Sequence, residues 1–396
     1  MRKVGLLGFE LESSNKGCEA LSYAFIPFLQ ECMDEKECEI VVFHIHDTLG
    51  YLPEVFPGMR FKNIPIHMKK IGFWKEFAHE LRSCDVIFGI THGDSFSDIY
   101  GLWWAVKTTC LKWRCLAAGC PLILLPQTYG PFKNSLLKRW AMRVIAGSTR
   151  VYCRDDISCK YLKGLLDAKT QEKIEVYTDI AFALPYVQQV KCHDGRLRIG
   201  LNVSGLLWNA CEKGAGFKLT TNYHDYCRKL IGQLTKRDNV ELWLVPHVIC
   251  DGREGADYYE NDCRAMRMLL KEFPGCKFRS DFKTAMDVKS FISGLDCLIA
   301  GRMHATIAAY SAGVPCIPFA YSRKFLGLYD FLDYPYVVDG NTLETQAAVD
   351  RTLELIDQRE SLERNLRSGM EKVNGLLNEF RADLKSCVQN AGKVRT

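Results

Sequence analysis

GLDCLIAGRMHATIAAYSAGVPCIPFAYSRKF, residues 294–325, reads as strand, turn, helix, turn, strand. Leu295 to Ala300 is an apolar run of the length of a buried strand. Gly301 breaks the run, and Arg302, Met303 and His304 open a helix that continues through Ala312 in good helix formers. Gly313-Val314-Pro315 stops that helix, and Cys316 to Ala320 is the next apolar strand. Such a unit leaves a helix N-terminus, with unpaired N–H groups and a positive dipole end, just past a strand's carboxyl end. Anions settle there in α/β sheets. A guanidinium and an imidazole two residues apart stand at this point, and Ser322, Arg323 and Lys324 follow the next strand on the same edge. Arg302, His304 and Lys324 therefore read as a site for a small, highly charged anion, with Met303 between the first two. The plainer alternative is a capped surface helix. An arginine at a helix N-terminus opposes the dipole, which favours the anion site.

The 396 residues suffice for two domains. Apolar content of 47% with 25% charged residues is that of an ordinary globular protein. A net charge of +5 suits anionic substrates or a transient membrane surface and does not single out nucleic acid. The opening MRKVGLLGF starts like a signal peptide, but Glu10 and Glu12 end the apolar run early. With no stretch that reads as a transmembrane helix, the expected location is cytoplasmic, with peripheral contact at the inner membrane face. Cysteine is abundant at 18 residues, yet no C-x-x-C pair occurs, so these read as reduced, buried thiols rather than zinc ligands or a redox pair. No metal and no cofactor is expected.

The same strand–polar turn–helix unit recurs along the chain. Lys3–Phe9 is a strand whose loop carries Asn15, Gly17 and Glu19 into a helix, with Asn15 a candidate ligand or a simple N-cap. Residues 46–80, with Pro53, Pro57 and Pro65, read as a long irregular loop. Asp85–Ile90 is a strand followed by Thr91-His92-Gly93-Asp94-Ser95-Phe96-Ser97-Asp98, polar side chains suited to a polyhydroxyl ligand or to a turn and N-cap. Leu122–Leu125 leads into a loop that begins at Pro126-Gln127, and Val151–Cys153 leads into Arg154, a second candidate anion ligand. A polar linker at 186–197 separates residues 1–188 from residues 196–342. In the second domain His247 ends a strand, and residues 210–221 read as loop. Apolar residues at helical spacing make 343–396 amphipathic helices. The expected fold class is α/β, two Rossmann-like domains in a GT-B-like arrangement with a long C-terminal helical segment.

GRMHATIAAYSAGVPCIPFAYSRKF resembles the C-terminal signature of the polysaccharide pyruvyl transferase family. NKGCEA at 15–20, QTYGPF at 127–132, RDDIS at 154–158 and DIAFAL at 179–184 match that family in order and spacing. One departure is Thr91-His92-Gly93-Asp94, where the family often has a glycine triplet; it bears on the acceptor side. The resemblance implies transfer of the pyruvyl group of phosphoenolpyruvate to two hydroxyls of a saccharide, free or lipid-linked, with formation of a cyclic ketal and release of phosphate. It also implies that Arg302 and His304 contact phosphoenolpyruvate, in agreement with the local reading. A donor with a carboxylate and a phosphate needs several cations, preferably a planar guanidinium. Protonation of its enol carbon needs a general acid, which His304 suits. Asp94 or Asp98 is the candidate base or acceptor ligand. The oligomeric state is not legible in the sequence.

Two other readings remain open at this point. A GT-B glycosyltransferase using a nucleotide sugar would commonly place a glutamate at the position of Ala308. A non-catalytic binder of sugars or anions could use the same fold, since fold alone does not fix function.

Overall fold

The computed structural model describes residues 2–33, 38–191, 194–213, 219–250 and 259–391. Two compact units result. The first comprises residues 1–12, 21–180 and 375–396, and the second residues 13–20 and 181–374.

The first unit is built on a parallel sheet of β1 (Arg2–Leu7), β2 (Cys38–His44), β3 (Arg60–Pro65), β4 (Val86–Gly89), β5 (Leu122–Gln127), β6 (Arg150–Cys153) and β7 (Ile174–Val176), in the order β3-β2-β1-β4-β5-β6-β7. The central strands are apolar without alternation because helices cover both faces; β4 and β5 are buried throughout. Pro126 has no N–H for the ladder, and the β5–β6 register shifts between Leu124 and Gln127, where that gap is absorbed. The order reverses between β1 and β4, which are paired from Val4 with Val86 to Leu7 with Gly89. Chains leave these two strands in opposite directions across the sheet, which opens a crevice at their carboxyl ends.

The second unit repeats the plan with β8 (Leu197–Asn202), β9 (Val240–Leu244), β10 (Lys277–Phe278), β11 (Cys297–Ala300), β12 (Cys316–Ala320) and β13 (Val338–Asp339), in the order β10-β9-β8-β11-β12-β13. Its reversal lies between β8 and β11, paired from Ile199 with Cys297 to Asn202 with Ala300.

Two parts differ from the sequence reading. Residues 46–80 are not one irregular loop: β3 pairs with β2 over six residues, and Phe73–Ser83 is a helix that buries Phe73, Phe77 and Leu81. β3 is an edge strand carrying Arg60, Lys62 and Asn63, so it lacks the apolar run of its neighbours. Residues 205–213 are helical, whereas 210–221 read as loop; 214–218 lie outside the described residues. The C-terminal segment is helical over Thr345–Asp357 and Arg359–Ala391, in line with its apolar spacing. Helix Arg359–Ala391 belongs to the second unit up to Asn374 and to the first from Gly375, where Phe380 packs edge-on against Phe28 and Tyr152 at 5.3 and 5.2 Å. No described helix is long and apolar enough to cross a membrane.

Candidate active site

At the reversal point of the second unit, strand ends and helix starts converge on Asp262. This carboxylate, 0% exposed, opens the helix Asp262–Glu272 behind the N-cap Asn261. Its Oδ1 accepts from Gly205 N at 2.7 Å and from Arg302 Nε and Nη2 at 3.1 and 3.0 Å. Its Oδ2 accepts from Asn202 Nδ2, His247 N and Val248 N at 3.1, 3.0 and 3.0 Å. The ends of β8, β9 and β11 are thus tied to one buried charge. A carboxylate this deep persists only when paired and fully hydrogen-bonded.

Arg302 is the N-cap of the helix Met303–Ser311, and its own N–H donates to Asn202 Oδ1. Its guanidinium also donates through Nη1 to Glu260 Oε2 at 2.8 Å and through Nη2 to the Glu260 carbonyl at 2.6 Å. Burial works against its charge, but Asp262 and Glu260 outweigh burial and hold it above its ordinary value. The expected anion ligand therefore already carries two carboxylates. Asp262 is inaccessible, whereas the Glu260 side chain is 30% exposed.

The segment 13–20 is sewn onto the strand end after β9. Lys16 N donates to His247 O at 2.9 Å, Ile249 N donates to Ser14 O at 2.8 Å, and Asn15 bridges Val248 antiparallel. This brings Gly17 against His304. A Cβ at position 17 would lie 2.5 Å from His304 Nδ1, so only glycine admits the imidazole in this pose. Glu19 is fully buried; it accepts from Lys16 Nζ at 2.6 Å and from Ala285 N at 3.0 Å. Burial pushes its carboxyl up, against the pull of Lys16, to about 7. His247 is 3% exposed, and neither ring nitrogen has a hydrogen-bond partner among the described residues. Burial first, then the neighbouring His304, Arg302 and Lys16, push its pKa well below the ordinary imidazole range, so the ring is neutral at pH 7.

Of the residues singled out in the sequence, Asn15, Gly17, Glu19, His247, Arg302, Met303 and His304 fall in this second unit around one strand-end region. Asn15 and Glu19 act as braces rather than as exposed ligands: Asn15 Oδ1 accepts from Gly17 N, and Glu19 is locked between Lys16 and Ala285. Lys324 lies in the helix Arg323–Phe331, and its side chain is outside the described residues.

The remaining candidates belong to the first unit, where each has a partner of its own. Asp98 is committed to the backbone: its oxygens accept from Lys133 N and Asn134 N at 2.7 to 2.9 Å, so it shapes a turn. Gln127 is fully buried and accepts from Thr91 N at 2.9 Å, which fixes the turn after β4. Arg154 pairs with Asp179 at 2.7 Å and donates to Thr128 Oγ1 at 3.0 Å, so its charge is met internally. Asp94 accepts from Tyr100 Oη at 2.7 Å. Sequence reasoning missed Lys16, Asn202, Glu260 and Asp262. The only local signal was Asn261-Asp262 as a helix start, and nothing in the sequence marked that acid as buried. Among the described residues no group of acidic, histidine and cysteine side chains has the spacing of a metal site.

No curated protein matches the chain significantly. Solved structures share its fold at low identity. HepE of Anabaena, in complex with UDP and glucose, aligns with a TM-score of 0.60 and 11% identity over 98% of this chain and 99% of its own. The S. aureus MnaA–UDP co-structure aligns at 0.58 and 12% over 93% and 91%. A putative UDP-N-acetylglucosamine 2-epimerase from Listeria monocytogenes aligns at 0.57 and 12% over 92% and 91%. These likenesses establish two parallel-sheet α/β domains of the GT-B kind. The sequence itself is more specific, for residues 15–323 match the polysaccharide pyruvyl transferase family. That span runs from the Asn15–Glu19 segment through Arg302 and His304, and the chain belongs to this family, as a pyruvyl transferase acting in polysaccharide biosynthesis.

Proposed function

We propose that the enzyme takes phosphoenolpyruvate as donor and closes a cyclic pyruvate ketal on a diol of the polysaccharide or of its lipid-linked precursor, releasing phosphate. The observation that carries this reading is the seating of the His304 imidazole against Gly17, two residues after Arg302, at the start of the helix after β11. His304 donates a proton to the enol CH2 carbon, which leaves an oxocarbenium-like centre at C2. A sugar hydroxyl adds to C2. The second hydroxyl closes the ring as the C2–O bond to phosphate breaks. Of the two hydroxyl protons, one restores His304 and the other leaves on phosphate, so the sum balances.

Arg302 meets the donor through the edge that now faces Glu260. Glu260 Oε2, 2.8 Å from Nη1, marks where a carboxylate rests on this guanidinium. Asp262 holds the other edge and fixes the plane of the fork. In this reading the donor's carboxylate takes the place of Glu260, the helix N-terminus faces its phosphate, and Lys324 adds a further cation. Arg154 and Gln127 hold the first unit's turns. A lipid-linked acceptor would bring the enzyme to the cytoplasmic membrane face as a peripheral visitor.

The test is phosphate release from phosphoenolpyruvate with a β-galactoside or β-mannosamine-type acceptor. His304→Ala abolishes it while the protein melts normally. Arg302→Ala strands Asp262 without its counter-charge, so Arg302→Lys accompanies it and keeps the charge while losing the fork. Full turnover in the His304 and both Arg302 variants would end the proposal.

A further inference from the structure

One stretch of the first unit has a one-sided charge. From Ile99 to Arg154 the chain holds nine Lys and Arg residues and no Asp or Glu. The whole chain has a net charge of +5, so everything outside this stretch is net negative. The stretch supplies the helices Leu102–Ala117 and Ser135–Gly147, which follow β4 and β5 and pack side by side. Large apolar side chains at their starts face water. Trp103 is 85% exposed and Leu136 70%, and Ile99, Tyr100 and Leu102 are about half exposed. The two starts form one tip. Asp98, just before Ile99, accepts from the N–H groups of Lys133 and of Asn134, the N-cap residue of the second helix.

Each helix passes from apolar to basic along one face. Lys107 lies one turn after Trp103 on the first helix. On the second, the exposed Arg139 and Arg143 follow Leu136 at spacings of three and seven. At the helical rise these cations stand about 5–10 Å behind the apolar tip. The two acids that border the tip are met internally: Asp94 accepts from Tyr100 Oη, and Asp98 from the two backbone N–H groups. Folding gains nothing from Trp103 and Leu136 in water, and exposed apolar side chains clustered in this way mark an interaction surface.

The order of apolar tip and basic collar selects the partner. A second copy on a two-fold axis would set these cations against their own kind. A nucleic acid would pair the cations but leave Ile99, Leu102 and Leu136 without a role. A leaflet with anionic headgroups satisfies both layers. Apolar and aromatic side chains enter the headgroup–acyl boundary to a depth of about 5–10 Å, and the cations behind them then meet the headgroups. We propose that the tip of Ile99–Trp103 and Leu136 docks the first unit on an anionic lipid surface. Both helices start at strand carboxyl ends, so docking brings the crevice beside β4 near the leaflet. The link to a lipid-linked acceptor rests on the proposed function; the docking itself stands on this surface alone.

The experiment is co-sedimentation of the full chain with vesicles of phosphatidylcholine alone and of phosphatidylcholine mixed with phosphatidylglycerol. The wild type binds the anionic vesicles about tenfold or more tightly than the neutral ones, and added salt releases it. Trp103→Ser with Leu136→Ser removes the apolar tip, and Arg139→Gln with Arg143→Gln removes two of the cations. Each pair weakens binding to the anionic vesicles about tenfold or more. All four positions are exposed, so both double variants keep the wild-type melting temperature. No preference for anionic vesicles, or undiminished binding by the folded variants, would overturn the docking. Self-association that the apolar pair abolishes, with no vesicle binding, would give the face to a second copy instead. Failure of the wild type to release phosphate from phosphoenolpyruvate would remove the proposed function and leave the docking standing.

Discussion

Gly17 and His304, 287 positions apart, touch so closely that a single methyl group at Gly17 would sit 2.5 Å from Nδ1 and 2.9 Å from Cβ of the histidine. The backbone bonds of Lys16 to His247 and of Ser14 to Ile249 hold Gly17 in that position, so the histidine must yield rather than the glycine. Gly17→Ala is expected to rotate the imidazole away. Phosphate release should fall on the order of a hundredfold, while the melt reports only an overpacking loss of about 1–3 kcal/mol. Wild-type turnover in Gly17→Ala would mean that the pose of His304 is immaterial to the chemistry.

The two carboxylates on Arg302 should separate cleanly in mutagenesis. Asp262 is buried and shared among three strand ends, so Asp262→Asn leaves the guanidinium short of charge; unfolding free energy should drop by about 3–5 kcal/mol in denaturant titration. Glu260 is part-exposed, so Glu260→Gln should change stability by less than about 1 kcal/mol. Because Glu260 occupies the edge assigned to the donor, its removal should lower the KM for phosphoenolpyruvate severalfold. An unchanged or raised KM would remove Glu260 from that edge.

Glu10 and Glu19 set opposite pH dependences. Glu10 is depressed from its ordinary 4.5 to about 2 in the fold, so it contributes stability above 4.5 that is lost as pH falls from 4.5 through 2. Glu19 is raised from 4.5 to about 7, so the folded state keeps a proton the unfolded chain gives up; its contribution declines as pH rises from 4.5 through 7. Each span is on the order of 3 kcal/mol. Glu10→Gln should therefore be destabilised at pH 7 and approach the wild type in acid. Glu19→Gln should match the wild type best below pH 4.5, gain on it as pH rises from 4.5 to 7, and hold that gain above 7. Parallel wild-type and variant curves across both windows would show that neither group is coupled to folding.

Much of this organisation could be read from residues alone, and the parts that could not share a cause. β11, β12 and β5 are buried on both faces, so their burial is written as unbroken apolar runs. Arg302 and His304 announced themselves because a strand end and a helix start flank them. What stayed hidden was partnership over distance. Asp262 looks like any helix-opening acid, yet it accepts from Gly205, Asn202, His247, Val248 and Arg302. Glu10 read only as the residue that breaks an apolar run, although His44 and His92 arrive at it from two other strands. β3 was hidden for the converse reason: an edge strand has one paired side and tolerates Arg60 and Lys62.

His247 offers the sharpest division between folding and function. Its ring is neutral, enclosed, and without a hydrogen-bond partner at either nitrogen among the described residues, beside His304, Arg302 and Lys16. A polar ring in that state opposes folding, by about 1–3 kcal/mol relative to a group of the same shape with no polar atoms. Selection for stability alone would replace it, and a ligand is what would satisfy it. His247→Phe is therefore expected to raise the melting temperature of the ligand-free protein. On the proposed donor reading, the same variant should also lose part of any stabilisation by phosphoenolpyruvate. UDP, which the site is not expected to hold, should stabilise neither protein. A lower melting temperature together with an undiminished phosphoenolpyruvate shift would make His247 a packing residue, and stabilisation by UDP alone would turn the donor assignment toward a nucleotide sugar.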